Sequence, residues 1–302
     1  MIKKVLIGLA FVLIALAVYL VLATGRIEAK QINDDVWVLT GLGGNVGVLR
    51  TDAGTVIVDT MTFERQGKAI RAKAAEVTGQ AVVMIINSHY HLDHTHGNPA
   101  FKNDNIRVVA TQRTLEHLHH FDADTWAGSA SSTLPNETFE TTQTIELGGK
   151  TIQLLHPGRG HTDGDLVAVF VEDRVIHMGD LLFNKHYPNI DLEAGGSIND
   201  WPTTLEAVLE LSFDQVIPGH GEVTDAAGIR QFQSFMSELG DLGRAAAAAG
   251  KNLEQTQTDV AKQLTTDAGY SEISMIVPTG LDQAFVIKRS WEEATGAVKP
   301  LN

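Results

Sequence analysis

Cysteine is absent from the 302 residues of this chain, and basic residues are scarce. Without cysteine the chain forms no disulfide bond, and any metal site in it has to use histidine and carboxylate ligands. Lysine and arginine together number 23 against 37 acidic residues, which gives a formal net charge of −14. Because nucleic-acid binding draws much of its affinity from basic side chains that neutralise phosphates, this balance argues against a nucleic-acid partner.

No break in composition divides the chain after its first 24 residues. Hydrophobic residues make up 43% of the sequence and charged residues 20%. A chain of this length and composition can build one large domain with a substantial core. We therefore expect a single domain over residues 25–302 and a separate segment over residues 1–24. The pattern does not indicate an oligomeric state.

The first segment contains a long apolar run. Val5 to Ala23 are 19 consecutive residues without a charged or strongly polar side chain, and as a helix such a run nearly matches a hydrocarbon core of about 30 Å. Two lysines precede it, which favours a cytoplasmic N-terminus. We predict an apolar N-terminal helix that anchors the chain in the cell membrane through residues 5–23, as a single pass with the domain on the extracytoplasmic side. A signal peptide is the alternative, and the domain is then periplasmic or secreted if residues 1–23 are cleaved.

The densest group of metal-type side chains is the run from Ser88 to His94, Ser-His-Tyr-His-Leu-Asp-His. It follows residues 81–87, a mostly apolar stretch that predicts a buried strand. In an extended tail of that strand side chains repeat with a period of two, so His89 and His91 project to the same side and could share one metal. Asp93 and His94, where the chain turns towards a helix, are then free to face a second metal. Imidazole and carboxylate are natural ligands of zinc and of iron or manganese.

Three further candidate ligands each lie on a short loop after an apolar strand, with glycine beside them. They are His161 in Gly-Arg-Gly-His-Thr-Asp-Gly, Asp180 in Met-Gly-Asp-Leu, and His220 in Pro-Gly-His-Gly. Glycine permits the tight backbone geometry and close approach that a ligand loop needs. Each of these three signals is weak by itself. Together with the run from Ser88 to His94 they indicate a metal centre.

Other histidines carry no comparable signal. His117, His119 and His120 lie in a polar, helix-like stretch, so we expect them on the solvated surface.

Short apolar runs punctuated by glycine alternate with stretches of helical periodicity. Strands are predicted at Val36–Leu39, Val46–Leu49, Val56–Asp59, Thr151–Leu155, Leu166–Phe170, Val175–Met178 and Gln215–Ile217. Helices are predicted at Glu64–Val77, Trp201–Leu211 and Ala226–Ala249, and a last one starts at the capping signature Thr279–Asp282 and runs to about Ala294. The chain is therefore a strand-rich, layered α/β protein with its candidate ligands at strand ends.

The order His-x-His-x-Asp-His, then His, Asp and His, resembles the metallo-β-lactamase superfamily, and the likeness extends over about residues 30 to 300. The resemblance implies a four-layer αββα sandwich, in which two face-to-face sheets lie between helices and two metal ions lie at one edge. It implies that His89, His91 and His161 hold the first metal. It assigns Asp93, His94 and His220 to the second metal and makes Asp180 the ligand that bridges the pair. The cofactors implied are two zinc ions, with iron or manganese as alternatives.

This chain departs from parts of the family at the bridging position. The largest class of true β-lactamases has cysteine where Asp180 stands and another class has serine, which makes a dedicated antibiotic hydrolase less expected here. Aspartate at this position, and the segment from Asp191 to Trp201, resemble the exported cyclase-like and glyoxalase II-like branch. An additional His96, where many relatives carry glycine, and the residues Asn184, His186 and Tyr187 are candidates to line the pocket.

The resulting hypothesis is a dinuclear metal-dependent hydrolase that uses a metal-bridging hydroxide on a small ester, lactone, thioester or amide. Asp93 is the candidate catalytic residue, because a carboxylate beside the metals can orient the hydroxide or carry a proton to the leaving group. Three alternatives stay open: β-lactamase-type activity as a minor function, a mononuclear iron enzyme like the sulfur dioxygenases, and a non-catalytic metal-binding module.

Overall fold

The computed structural model of the chain describes residues 25–102, 104, 106–273 and 278–300, and places twelve strands of these ranges in two sheets. The first sheet contains, in spatial order, β1 (Glu28–Gln31), β2 (Val36–Thr40), β3 (Val46–Thr51), β4 (Gly54–Val58), β5 (Val82–Ile86), β6 (Arg107–Thr111) and β7 (Glu137–Phe139). The second contains β8 (Thr142–Leu147), β9 (Lys150–Leu155), β10 (Val167–Phe170), β11 (Val175–His177) and β12 (Gln215–Ile217).

Each sheet changes from antiparallel to parallel pairing along its width. Strands β1 to β4 form an antiparallel meander, and β4 to β7 pair in parallel. In the second sheet β8 to β11 are antiparallel and β12 joins β11 in parallel. Parallel neighbours end at the same sheet edge, which lets loops that are distant in sequence meet there.

Helices cover the outer faces of both sheets. In the described ranges they are α1 (Glu64–Thr78), α2 (Leu92–Thr95), α3 (Gln112–Phe121), α4 (Trp201–Leu209), α5 (Ala226–Ala248), α6 (Leu253–Gln263) and α7 (Gln283–Thr295), with short 3-10 turns at Asn98–Phe101, Gly128–Thr133 and Gly179–Leu181. The predicted capping residue Asp282 accepts a hydrogen bond from the Phe285 amide at the start of α7. The predicted helices therefore begin and end within a few residues of those observed.

Three apolar layers hold this arrangement together. Residues from both sheets, among them Val56, Ile152 and Phe170, form the core between the sheets. A second core packs the outer face of the second sheet against α4, α5 and α7, and a third packs the first sheet against α1. The predicted four-layer αββα sandwich is confirmed.

Several elements were missed from the sequence, although some of them carried a signal. Helix α6 begins with a reciprocal capping box between Asn252 and Gln255, a recognised start signal. Strand β1, in contrast, is exposed along its whole length, so no apolar alternation marks it.

The predicted apolar N-terminal helix over residues 5–23 lies outside the described residues. Among the residues that are described, no helix has the length and apolar character needed to cross a bilayer.

Phe170→Ala is expected to lower the free energy of unfolding by about 3–5 kcal/mol, the usual cost of removing a buried phenylalanine ring. Phe170 is fully buried between the sheets, where other side chains can fill the resulting cavity only in part. Denaturant unfolding monitored by circular dichroism measures the change. A loss below about 1 kcal/mol would mean that this layer is not close-packed.

Candidate metal centre

The seven candidate ligands lie at one edge of the sandwich. His89 and His91 follow β5, Asp93 and His94 lie on α2, and His161 lies on the loop between β9 and β10. Asp180 and His220 follow β11 and β12. The structure gathers them into two groups that could each hold a metal ion, His89, His91, His161 and Asp180 in one and Asp93, His94 and His220 in the other.

The first group converges on imidazole nitrogens. His91 Nδ1 lies 2.7 Å from His161 Nε2, so these two rings point their nitrogens at a common space. The Nε2 atoms of His89 and His161 lie 3.7 Å and 3.6 Å from Asp180 Oδ2.

The second group converges on the other oxygen of the same carboxylate. Asp180 Oδ1 lies 3.1 Å from His94 Nε2 and 3.5 Å from His220 Nε2. Asp93 Oδ2 lies 3.2 Å from His220 Nε2 and 3.6 Å from His94 Nε2. Asp180 thus presents one oxygen to each group.

Buried polar atoms without hydrogen-bond partners mark the space between these side chains. His89 Nε2, His94 Nε2 and Asp180 Oδ1 are buried and make no hydrogen bond with any described residue. An unpaired buried polar atom costs free energy and needs an explanation. Nitrogen and oxygen donors in sets of three or four suit zinc, or iron and manganese, so the residues fit bound metal ions.

The charges inside the cluster shift the pKa values in opposite directions. Burial, together with the positive charge of His94, holds the pKa of His89 well below its ordinary value. Burial alone would lower the pKa of His94, but the charges of Asp180, Asp93 and Asp59 outweigh it and raise that pKa well above the ordinary value. Burial alone would raise the pKa of Asp180, yet His94 and His220 lower it to about 2. Positively charged histidines thus balance the negative charge of the carboxylates, and bound metal cations could balance it instead.

A second layer of residues holds the histidine rings from behind. Asp59 Oδ2 lies 2.7 Å from His94 Nδ1 and accepts a hydrogen bond from the Ser88 hydroxyl, and Ser88 Oγ lies 3.0 Å from His89 Nδ1. Asp59 has a φ of 69°, a left-handed conformation that aspartate tolerates better than most residues. Partners of this kind fix the tautomer and direction of a metal-binding imidazole.

The first group has a corresponding support on the loop that follows Tyr187. Asp191 Oδ2 lies 2.8 Å from His91 Nε2 and accepts a hydrogen bond of 2.5 Å from the Tyr90 hydroxyl. The Asn189 carbonyl oxygen lies 2.8 Å from His161 Nδ1. These supporting roles could not be predicted from the sequence, because no sequence spacing connects residues 189 and 191 with His91 or His161.

Two glycines make room for the ligands: Gly219, which lies beside His220 as the sequence pattern predicted, and Gly44, which the sequence pattern did not indicate. A Cβ atom on Gly219 would lie 2.0 Å from Asp180 Oδ1, and one on Gly44 would lie 2.2 Å from His94 Cε1. Either contact is far below van der Waals distance, so a larger residue would displace a candidate ligand.

A cavity of about 210 Å³ opens beside the two groups. Its described lining comprises His91, Leu92, Asp93, Asp180, Phe183, Asn189, His220, Ile273, Thr279 and Leu281. The wall away from the ligands is mostly apolar, and the described lining contains no lysine or arginine.

The four residues proposed as additional pocket lining are not among the described residues that line this cavity. His96 Nε2 pairs with Asp122. Asn184 Nδ2 donates to the Glu222 carbonyl, His186 Nδ1 lies 3.3 Å from the Ser271 carbonyl, and the Tyr187 hydroxyl donates to Asp267. Each of these side chains therefore has a partner outside the two ligand groups.

The expected position on the solvated surface was wrong for His117. His119 and His120 are exposed as predicted, but His117 is only 4% exposed and its Nε2 lies 2.6 Å from Asp163 Oδ1. The amphipathic pattern of α3 places it on the inner face, where the carboxylate satisfies its ring nitrogen.

Asp191→Asn is expected to weaken metal binding at the first group by about 10- to 100-fold, the usual effect of losing a carboxylate that supports a ligand histidine. Competition with a chelator measures the affinity. Asp122→Asn is the matched control, because Asp122 also pairs with a histidine but lies outside both ligand groups. Equal losses in the two variants would contradict a specific role for Asp191.

The chain is similar to known proteins over the region that contains the candidate ligands. Residues 39–220 match the family model described as the metallo-beta-lactamase superfamily. This match covers more than half of the chain and includes all seven candidate ligands.

Two curated relatives and one solved structure illustrate the range of the similarity. A type 2 metallo-beta-lactamase of Bacillus sp. (strain 170) is 27% identical over 212 residues, which cover 67% of this chain and 79% of that protein. The alpha subunit of 2,4-dinitroanisole O-demethylase from Nocardioides sp. (strain JS1661) is 27% identical over 197 residues, covering 63% of this chain and 56% of that one. The metallo-beta-lactamase structure from Pontibacter korlensis superposes with a TM-score of 0.61 at 22% identity, covering 70% of this chain and 99% of that chain.

Proposed function

Because the chain belongs to the metallo-β-lactamase superfamily, we propose that its two ligand groups hold two divalent metal ions, with zinc preferred, and that the protein is a metal-dependent hydrolase. The main observation behind this proposal is the position of the Asp180 carboxylate. Its two oxygens face different ligand groups, at 3.6–3.7 Å from His161 and His89 and 3.1–3.5 Å from His94 and His220. A carboxylate placed between two complete ligand sets favours a dinuclear site over a mononuclear one.

When bound, two such ions lower the pKa of a shared water from about 15.7 to about 7 and polarise a carbonyl oxygen. The chain itself supplies orientation and proton transfer. Asp93 lies in the cavity with its side chain 20% exposed, so its carboxylate can accept a hydrogen bond from the attacking water. It can then carry the proton to the leaving group. The apolar side chains of Leu92 and Phe183 line the cavity beside these groups.

The residues that line the cavity favour a neutral substrate. Recognition of a carboxylate, phosphate or sulfate group usually involves lysine or arginine, and the described lining has neither. We therefore propose a small ester, lactone, thioester or amide with an apolar substituent. The names of the relatives, which include both a β-lactamase and an O-demethylase subunit, do not select among these.

The test is a metal count combined with a substrate panel. Full-length protein in detergent should hold about two metal ions per chain, and it should lose turnover on treatment with a chelator and regain it with zinc. Esters, lactones, thioesters, amides, β-lactams, phosphodiesters and sulfate esters are assayed side by side. One iron per chain with oxygen uptake would instead indicate the redox alternative. Failure on every substrate class, with a protein partner that co-purifies tightly, would indicate a non-catalytic metal-binding module.

Export from the cytoplasm is a separate part of the proposal and depends on the sequence of residues 5–23. In a bacterial host the full-length protein should fractionate with the membrane, with an intact N-terminus by mass spectrometry. A periplasmic product that lacks residues 1–23 would identify a signal peptide. Cytoplasmic protein would contradict both readings.

A further inference from the structure

Two exposed apolar side chains lie next to residues that contact the loop of residues 41–44. Among the residues that the structure describes, Phe63 and Leu92 are the large apolar side chains that stay exposed, at 48% and 49%. Leu92 lines the cavity, and Phe63 lies just before α1. A single exposed apolar residue needs no explanation, whereas exposed apolar residues that form a contiguous patch mark an interaction surface.

The loop of residues 41–44 contacts the chain beside both positions, since a Cβ atom on Gly43 would lie 2.9 Å from Thr62 Oγ1 and 3.3 Å from the Asp93 carbonyl oxygen. The Gly44 amide donates to the carbonyl oxygen of Asp93, the residue after Leu92, at 3.1 Å. Gln66 Nε2, in the first turn of α1, donates to the Leu42 carbonyl at 2.5 Å. We call Phe63, Leu92 and the loop of residues 41–44 the entrance surface.

The N-terminal segment joins the domain at this same surface. A Cβ atom on Gly25 would lie 3.0 Å from Arg65 Nη2, two residues after Phe63. A Cβ atom on Gly41 would lie 2.8 Å from Ile27 Cδ1 and 3.2 Å from the Arg26 carbonyl oxygen. The apolar run of residues 5–23 therefore connects to the domain beside the entrance surface.

We propose that the entrance surface rests on the lipid bilayer, and that the cavity takes esters, lactones or amides with an aliphatic chain directly from the membrane. The substrate class rests on the proposed hydrolase function, and the surface contact does not. The aliphatic chain would lie against Leu92, Phe183, Ile273 and Leu281, which form the apolar wall of the cavity. The reacting carbonyl would then lie towards Asp93 and Asp180.

The absence of cysteine from the chain makes a site-specific test direct. Phe63→Cys and Leu92→Cys are each labelled with an environment-sensitive fluorophore in the full-length protein. The labelled proteins are reconstituted in vesicles of phosphatidylcholine and phosphatidylglycerol. Asp52→Cys is the control, because Asp52 is exposed in the turn after β3, at the opposite end of that strand from the loop of residues 41–44.

Labels at positions 63 and 92 should shift to the blue and be quenched by doxyl-labelled lipid, while the label at position 52 should not. Labels at 63 and 92 that behave like the one at 52 would overturn the contact with the bilayer. Shielding that depends on protein concentration, without quenching by lipid, would overturn it in favour of a second copy of the chain.

A kinetic series tests the substrate class. The value of kcat/KM for nitrophenyl esters should rise about three- to fourfold for each added methylene until the cavity is filled. Phe63→Ser should leave hydrolysis of the soluble acetyl ester unchanged and lower hydrolysis of a decanoyl ester presented in vesicles. Acetyl ester hydrolysis without any rise with chain length would overturn this inference alone. Absence of hydrolysis of every ester by the metal-loaded protein would remove the proposed function and its substrate class together, and the quenching result would still decide the surface.

Discussion

Asp180→Asn should lower bound metal from about two ions per chain towards one and reduce turnover by about a hundred- to ten-thousandfold, the effect of losing several kcal/mol of charge stabilisation in the transition state. An amide has nearly the shape of the carboxylate but only one oxygen, and its NH2 group cannot act as a ligand. The present carboxylate turns Oδ2 to His89 and His161 and Oδ1 to His94 and His220. The variant can therefore serve one group only.

The measurement combines elemental analysis with single-turnover kinetics. Asp163→Asn is the control, since Asp163 also pairs with a histidine but lies outside both ligand groups. The control should retain two metal ions and full turnover. An Asp180→Asn protein with two ions and wild-type turnover would show that this carboxylate does not couple the groups, and the dinuclear proposal would be lost.

The four layers of the fold followed from local pattern. Short apolar strands such as Val36–Thr40, in which four of five residues are buried, and striped helices such as α5 have buried faces that other layers must cover. The strand β1, which is exposed and contains no apolar run, was missed. An apolar pattern reports burial, so it identifies an element only where at least one face of that element is buried.

The candidate ligands were visible for a different reason. His89, His91, Asp93 and His94 are close in sequence, so the geometry of one strand end is enough to bring them together. The three distant ligands needed the order of the whole motif, which the resemblance supplied. Their roles as ligands stay predictions until metal is measured.

Side-chain direction was the part that sequence could not supply. Tyr187 is seven residues from Asp180, yet its hydroxyl donates to Asp267, which is 80 residues further along the chain. Asp191 was predicted only as part of a segment that resembles other members of the family. Its Oδ2 atom lies 2.8 Å from Nε2 of His91, which is 100 residues earlier in the chain. Such contacts depend on how distant loops pack at the sheet edge, and no short-range pattern reports them.

The supporting residues also explain why the site needs so much of the fold. Asp59 comes from the end of β4, Asp191 from the loop before α4, and Gly219 from the turn after β12. Each fixes or makes room for a different ligand. Ligand geometry within fractions of an ångström requires rigid support of this kind. The sandwich edge supplies it from both sheets at once.

Asp93→Asn should reduce kcat by about 10²- to 10⁴-fold for substrates with poor leaving groups, the usual contribution of a positioned acid–base group. Burial alone would raise the pKa of Asp93, but His94 and His220 outweigh it and hold that pKa well below its ordinary value. The group is therefore an ionised carboxylate, which can accept a hydrogen bond from the attacking water. Its amide replacement keeps an oxygen near the second ligand group and cannot carry the proton.

A leaving-group series separates this role from that of a simple ligand. Nitrophenolate leaves without a proton, whereas an alkoxide or amine has to receive one, so a proton carrier is needed most for the alkyl ester and the amide. The deficit of Asp93→Asn should therefore shrink as the leaving group improves, in protein saturated with zinc. The same deficit across the whole series would show that Asp93 acts as a ligand alone. Proton transfer would then have to pass through another group in the cavity.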